Sequence, residues 1–269
     1  MAGETFSMSN SNARYWDAVA DEWEKRQSHG LWRVYCEMLN TMLLKNWLPT
    51  GKVDRLLKTD LFDEAAGEGL YQLLVTRAQT FIGMDISFLV LRAARSFHPD
   101  LLVTSADVRD LPFADGVFDI VVSNSTLDHF ASPIQIEISL RELIRVLRTG
   151  GQLLLTLDNL ANPLVILRNF LPFSLLNRLG IVPYYVGATF GPRRLCRVLE
   201  QVGLEVSQAR AVMHCPRLLA VVFARVFERW ASPRAKESFL RFLLAFERLS
   251  CWPTRFVTAY FVAVKAIKR

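Results

Sequence analysis

One short segment combines small residues with acidic ones, Asp63-Glu64-Ala65-Ala66-Gly67-Glu68-Gly69. Its small side chains let the backbone pass close to a ligand where a larger one would collide. The pattern predicts a strand within residues 55–64 and a short helix over 70–76. A strand that leads through such a turn into a helix is typical of nucleotide-binding sites. A tight strand–helix connection without a ligand explains the segment alone equally well, because short glycine patterns recur by chance.

Polar residues also stand at the ends of the next three predicted strands. Asp85 closes the second, where a carboxylate can accept hydrogen bonds from both hydroxyls of a ribose. Asp107 closes the third and is placed to accept one from an adenine amino group. The fourth opens into Ser123 and Asn124. Each acid alone is more often a solvated or helix-capping residue, but open α/β sheets bind ligands at the carboxyl ends of their strands, so four ends in register predict one pocket.

Strands that alternate with helices must position this pocket. The pattern predicts strands within 55–64, 80–84, 101–105, 118–123 and 152–157, with helices over 88–96 and 134–147, the latter ended by Thr149-Gly150-Gly151. Five strands that alternate with helices through short connections predict an α/β fold with a doubly wound, parallel sheet. Helices over 13–24, with Asn12 as N-cap, and 31–48 precede it. One or two short helices over 163–180, helices over 191–202, 216–230 and 236–250, and strands over 204–211 and 256–267 follow it.

A nicotinamide-dependent oxidoreductase uses the same topology. Its fingerprint requires a third glycine three residues after the second, and that position holds Gln72. The Leu111-Pro112-Phe113 segment after the third strand is also foreign to that fingerprint. An NAD(P)-dependent oxidoreductase therefore stays a minor alternative.

The span from about Tyr15 to Asp158 resembles the class I S-adenosylmethionine-dependent methyltransferases, of the type 11-like branch that modifies small molecules and lipids. The family's Asp-x-Gly-x-Gly-x-Gly stands here at residues 63–69, with Ala65 in place of one glycine. Its Asp-Val-x-x-Leu-Pro-Phe stands at 107–113. Its Arg-Val-Leu-x-Pro-Gly-Gly stands at 145–151, with Thr149 in place of proline.

The resemblance implies S-adenosylmethionine as the cofactor and a Rossmann-like, seven-stranded, mostly parallel sheet. It divides the chain into an N-terminal helical cap (1–50), a cofactor-binding core (51–160), and acceptor-lid helices with final strands of the same sheet (161–269). The helix that carries Tyr15 and Trp16 matches one that covers the cofactor in this family, and a plain packing role fits it equally. The cofactor-binding residues predicted in this way are Tyr15, Asp63, Ala65, Gly67, Gly69, Asp85, Ile86, Asp107, Val108, Ser123 and Asn124.

By resemblance the reaction is an in-line transfer of the sulfonium methyl group to a nucleophile, for which the protein mainly aligns and desolvates the reactants. If the acceptor is a hydroxyl, His129 and Asp128 are the best-placed catalytic residues to remove its proton. His214 is a weaker candidate, and Asp158-Asn159 is placed to face the acceptor. A lone histidine is more often a packed side chain. A regulatory protein that binds the cofactor without turnover therefore stays open.

Composition predicts a cytoplasmic protein. Hydrophobic residues make up 51% of the chain and mean hydropathy is +0.21, yet no run of about eighteen uncharged apolar residues predicts a membrane span. The polar segment Met1 to Asn12 is unlike a signal peptide. Four scattered cysteines suit free thiols in a reducing compartment and argue against zinc, so no metal site is expected.

The two parts of the chain differ in charge. Residues 1–160 carry 15 Lys/Arg and 21 Asp/Glu, a net −6, whereas 161–269 carry 17 and 5, a net +12. Apolar runs interrupt these basic residues, which favours a hydrophobic, lipid-like acceptor and peripheral association with an anionic membrane over a nucleic-acid partner. Packing of these helices on each other or across a homodimer interface explains the same pattern equally well.

Overall fold

The computed structural model describes residues 12–22 and 30–269, and a single seven-stranded sheet runs through them. The strand order is β3-β2-β1-β4-β5-β7-β6. Strands β1 to β5 are parallel, whereas β7 pairs antiparallel with both β5 and β6. The strands are β1 Val53–Lys58, β2 Ala78–Asp85, β3 Leu102–Ser105, β4 Phe118–Asn124, β5 Leu147–Asp158, β6 Leu204–Val212 and β7 Phe261–Lys268. This confirms the predicted α/β, doubly wound, Rossmann-like fold.

Helices cover both faces of the sheet and add a C-terminal elaboration. Helix α1 spans residues 12–22. The others are α2 Leu31–Trp47, α3 Phe62–Ala65, α4 Tyr71–Val75, α5 Phe88–Phe97, α6 Pro133–Val146, α7 Pro163–Phe170, α8 Phe173–Arg178, α9 Pro192–Gln201, α10 Arg217–Trp230, α11 Pro233–Ala245 and α12 Arg255–Thr258, with 3₁₀ turns at Leu127–His129 and Phe246–Cys251. No helix in the described ranges is long and apolar enough to cross a membrane.

The sheet is buried on both faces, which explains the continuous apolar run of its central strand β4. Successive residues point to opposite faces: Val121 packs in the core beside α6 and α9, whereas Ile120 packs in the core beside α2 and α5. A third cluster joins α2 to α10 and α11 through Tyr35, Ala224 and Phe239. Only a narrow stripe of α10 is buried there, and Leu219, Val222 and Phe223 on its other side are at least 50% exposed.

Several predicted boundaries were wrong. Strand β1 ends at Lys58, because the backbone N–H of Phe62 already bonds to the Asp60 carboxylate (2.9 Å) in a turn. The segment Thr149-Gly150-Gly151 belongs to β5, since α6 ends at Val146, and Gly150 has φ 77°.

The two ends of the chain also differ from the prediction. The predicted last strand begins only at Phe261, and Arg255–Thr258 forms a helical turn. Asn12 already lies within α1 rather than capping it, and Trp23 and Glu24 fall outside the described residues, as does the segment Met1 to Ser11.

Candidate cofactor and acceptor site

A cavity of about 510 Å³, called here the cofactor cavity, lies at the carboxyl ends of β1, β2 and β4. It is where an open α/β sheet binds its ligand. Of the predicted site residues, those that line it are Tyr15, Asp63, Asp85, Ile86, Asp107, Val108, Asn124 and His129. The structure therefore brings these eight together, although they come from five separate segments of the chain.

The glycine-rich part of the predicted motif lies elsewhere. Ala65, Gly67 and Gly69 are not among the residues that line the cofactor cavity. The carbonyl of Gly67 bonds instead to the Nε2 of His98 (2.9 Å). Gly69 has φ 53°, and a Cβ there would lie 2.9 Å from the Glu64 carboxylate. These glycines allow the turn to fold tightly against its neighbours, and their approach to the cofactor stays a prediction.

A buried ion pair fixes this turn. The Nζ of Lys58 lies 2.8 Å from the Glu64 carboxylate, with both side chains at most 1% exposed, and it also donates to the Asp60 carbonyl. The other Glu64 oxygen accepts a hydrogen bond from the Leu70 N–H (2.9 Å). Burial opposes the charge on Lys58, but Glu64, together with Asp60 and Asp63, more than offsets it and the pKa of Lys58 rises to about 12.

The residues that actually follow β1 at the cavity are Thr59 and Asp60. Sequence reasoning missed Asp60, because it took the strand to continue beyond it. A signal was present, since an aspartate three residues after the apolar run Leu56-Leu57 is a strand-end carboxylate like Asp85.

Asp85 is held rigidly at the end of β2. Its carboxylate accepts hydrogen bonds from the backbone N–H groups of Leu61 (3.1 Å) and Ser87 (2.9 Å). Burial, reinforced by the charge of Asp60, raises the pKa of Asp85 to about 7, and burial likewise raises the pKa of Asp60. Two carboxyl groups thus lie at one wall of the cavity, where burial and their mutual repulsion disfavour the ionised forms.

The third predicted acid is already paired. Both oxygens of Asp107 contact the Arg109 guanidinium, at 2.9 and 2.5 Å, and one also accepts a bond from the Arg109 N–H. Its negative charge is largely neutralised within its own loop.

The end of β4 supplies polar atoms without partners. Both side-chain atoms of Asn124, Nδ2 and Oδ1, are buried and make no hydrogen bond within the described residues. Such groups are rare in folded proteins and point to a missing ligand or water. Ser123 instead is fully buried and accepts a bond from Thr59 Oγ1 (3.0 Å). Ser125 has φ 48°, a strained conformation of the kind that clusters at functional sites.

Helix α1 covers the cofactor cavity. The Tyr15 hydroxyl accepts a hydrogen bond from the Tyr185 N–H (2.7 Å), and the Trp16 ring lies 4.8 Å from the ring of His129. The next residue, Asp17, accepts bonds from the Ser87 hydroxyl (2.6 Å) and the Leu89 N–H (3.2 Å). The helix is therefore tied both to the loop after α8 and to the N-terminus of α5.

His129 stands on the cavity wall with a defined tautomer. Its Nδ1 lies 2.8 Å from the Tyr185 carbonyl, which only accepts, so Nδ1 carries the proton and Nε2 is the acceptor in the neutral ring. Nε2 lies 3.7 Å from Asp128 Oδ1, a buried atom with no hydrogen-bond partner among the described residues. Burial and the charge of Asp158 raise the pKa of Asp128 to about 6.

Asp128 itself faces a second cavity, of about 110 Å³, that shares Ser125, His129 and Tyr184 with the cofactor cavity. Asp158 lines this second cavity too, paired with Arg168 at 2.5 Å. Its neighbour Asn159 is committed to the backbone carbonyls of Phe256 and Ala259. His214 bonds to Thr258 (2.8 Å) and lines neither cavity.

Comparison with known proteins agrees with this geometry. Residues 62–155 match the family described as a methyltransferase domain. The chain is similar to malonyl-(acyl-carrier protein) O-methyltransferase of Legionella pneumophila, at 35% identity over 36% of this chain and 35% of that protein. It is 32% identical to demethylmenaquinone methyltransferase of Streptomyces avermitilis, over 38% of this chain and 44% of that protein. It is 26% identical to tRNA (carboxymethyluridine(34)-5-O)-methyltransferase of Arabidopsis thaliana, over 50% and 33%.

Among solved structures, the fold is similar to that of a Haloferax volcanii protein in complex with the Trm112 methyltransferase activator, with a TM-score of 0.58. The identity is 17%, over 94% of this chain and 95% of that one. The three curated relatives named above are matched over less than half of their length. Together the comparisons assign a methyltransferase domain to residues 62–155, and the cofactor of such a domain is S-adenosylmethionine.

Proposed function

We propose that the protein transfers a methyl group from S-adenosylmethionine to a hydroxyl group of a small hydrophobic acceptor. The observation that carries the proposal is the placement of His129, which lines both cavities and whose Nε2 is the acceptor nitrogen of the neutral ring. A base is useful for a hydroxyl acceptor, because a hydroxyl is a weak nucleophile until its proton is removed.

The polar groups that line the cofactor cavity suit S-adenosylmethionine. Asp85, at the end of β2, offers a carboxylate to a ribose. The unpartnered amide of Asn124 offers both a donor and an acceptor to a polar ligand. Tyr15 and Trp16 close the cavity from above. We assign the cofactor-binding role to these residues with Asp63, Ile86, Val108 and Asp60, and not to the glycine-rich turn.

The protein's own groups complete the reaction. Bound S-adenosylmethionine supplies a methyl group that is already activated. His129 Nε2 takes the proton of the acceptor hydroxyl as its oxygen bonds to the methyl carbon, and Asp128 stabilises the resulting imidazolium from 3.7 Å. Helix α1 and the loop that follows α8 exclude water from the reactants.

Apolar surface near the cavities supports a hydrophobic acceptor. Phe130, Phe173 and Tyr184 line the cofactor cavity. Leu164, Ile181 and Leu218, which line the second cavity, are 42–53% exposed and form an apolar rim. Binding of an apolar acceptor against this rim is favourable, because it buries apolar surface of the acceptor.

The basic part of the chain, residues 161–269 with a net charge of +12, supports peripheral contact with an anionic membrane, from which such an acceptor is drawn. We further propose that the enzyme is cytoplasmic, in line with its four free cysteines. In this proposal residues 1–50 form a cap, 51–160 the cofactor-binding core and 161–269 the acceptor lid with the final strands of the sheet. A homodimer that buries the exposed face of α10 is the competing explanation of this surface.

RNA is a second candidate acceptor, because one relative named above acts on tRNA and a basic surface attracts phosphates.

Incubation of the protein and cell extract with methyl-deuterated S-adenosylmethionine, followed by mass spectrometry, distinguishes the candidate acceptors. Label in a lipid or other organic-soluble product supports the proposal. Label in RNA overturns the acceptor class, and binding without any labelled product supports the regulatory alternative.

A further inference from the structure

The cofactor cavity is lined by carboxylates and by no basic side chain other than an imidazole. Asp60, Asp63, Asp85 and Asp107 all line it, whereas no Lys or Arg does so within the described residues. Among the described residues that line the cavity, His129 is the one side chain that can carry a positive charge. The cavity thus has the electrostatic character of a site for a cation.

The neighbouring cations offset this cluster only in part. The charges of Lys58 and Arg33 lower the pKa of Asp63, but burial still raises it above its ordinary value. Arg109 is engaged with Asp107, and buried Lys58 forms its ion pair with Glu64 at 2.8 Å while its ammonium faces the Asp60 carbonyl. Asp60, Asp63 and Asp85 are left as three acids on successive elements: the turn after β1, α3 and the end of β2.

This arrangement is costly in the absence of a cationic ligand. Burial raises the pKa of Asp60, Asp63 and Asp85, and a nearby acid raises each further: Asp63 for Asp60, Glu64 for Asp63 and Asp60 for Asp85. Lys58 is the main opposing influence on Asp60 and Asp63, whereas backbone hydrogen bonds are the main one on Asp85. A positive charge placed in the cavity relieves this repulsion.

The methyl donor and its product differ by one charge. S-adenosylmethionine carries a sulfonium, an ammonium and a carboxylate at neutral pH, a net positive charge. In the transfer the carbon–sulfur bond breaks, sulfur keeps the electron pair, the methyl group joins the acceptor oxygen, and the hydroxyl proton passes through His129 to solvent. The product, S-adenosylhomocysteine, is a thioether with no net charge.

Building on the proposed function, we infer that Asp60, acting with Asp85, makes the cavity select the cationic methyl donor over its neutral product. Asp60 is a specificity-determining residue, fixed by the bond from the Phe62 N–H. Because the product lacks the charge that offsets the acids, it is released more readily than it would be from a neutral cavity.

Calorimetric titration of the full chain with each ligand at pH 7 tests this inference. We expect the ratio of the two Kd values, product over donor, to fall about tenfold in Asp60→Asn, equivalent to roughly 1.4 kcal/mol. Asp115→Asn, which removes an exposed carboxylate far from the cavity, should leave the ratio unchanged. An unchanged ratio in Asp60→Asn overturns the inference while leaving the proposed function intact. Failure of the wild type to bind either ligand contradicts both.

A second measurement needs no variant. A cation beside Asp85 favours its ionised form, so binding of the donor near pH 7 should release protons, and binding of the product should release fewer. Titrations in two buffers of different ionisation enthalpy measure this release. Equal proton release by the two ligands would count against the inference.

Discussion

The Nδ1 of His129 and the backbone carbonyl of Tyr185 are joined by a hydrogen bond of 2.8 Å. This bond links the 3₁₀ turn after β4 to the loop after α8, and it turns the basic Nε2 of the imidazole toward Asp128. The same loop is held by the Tyr15 hydroxyl of α1. His129, the loop after α8 and helix α1 are therefore positioned by one another.

Replacement of His129 tests its role as a base. We expect His129→Asn to lower kcat by about 10²–10⁴-fold, the usual contribution of general acid–base catalysis, and to change the Kd for S-adenosylmethionine little. Single-turnover methyl transfer and calorimetry measure the two effects separately. His214→Asn, which alters a histidine outside both cavities, should retain activity. A loss of kcat below about threefold in His129→Asn would assign that residue a packing role.

Asp128 should give the reaction a pH dependence. Its pKa is raised to about 6 by burial and by Asp158, and only its ionised form stabilises the His129 imidazolium. We therefore expect kcat/KM to fall as pH drops through about 6. In Asp128→Asn the rate should be lower, and the limb that Asp128 contributes should be absent. An acid limb that is identical in this variant and the wild type would exclude Asp128 as its origin.

Gly69 should matter for stability rather than for binding. At φ 53° and with a Cβ position 2.9 Å from Glu64, Gly69→Ala should reduce the free energy of unfolding by about 1–3 kcal/mol. Gly51 is the matched control, because a Cβ there meets nothing within 4 Å. Urea titrations measure both. If folded Gly69→Ala lost S-adenosylmethionine binding while keeping wild-type stability, the glycine-rich turn would be a ligand wall after all.

The sequence predicts most strands and helices correctly but not the turn that follows β1. Strand ends such as Asp85 and Asn124 could be placed because the length of an apolar run and its hydrophobic periodicity define a buried strand. The end of β1 could not, since Leu61-Phe62 continues the apolar pattern of Leu56-Leu57 although the chain has already turned at Asp60. The tautomer of His129 and the Lys58–Glu64 pair depend on contacts that no local pattern encodes.

The exposed face of α10 should bind anionic vesicles if the acceptor comes from a membrane. Val222 and Phe223 are at least 50% exposed there, in the basic part of the chain. We expect co-sedimentation with anionic vesicles that weakens with salt and falls in the Val222→Ser/Phe223→Ser double variant. Phe242→Ser, on α11, serves as a control for loss of an exposed aromatic residue. Sedimentation that ignores lipid charge would contradict the membrane proposal, and a concentration-dependent dimer abolished by the double variant would favour a homodimer.

The most direct test of the account is calorimetric titration of the protein with S-adenosylmethionine, in the wild type and in Asp85→Ala. The account predicts one binding site per chain and at least about tenfold weaker binding in the variant, because its carboxylate is lost from the end of β2. Asp115→Ala, at an exposed carboxylate, should bind as the wild type does. Absence of binding in the wild type, or undiminished binding in Asp85→Ala, would contradict the assignment of this cavity as the cofactor site.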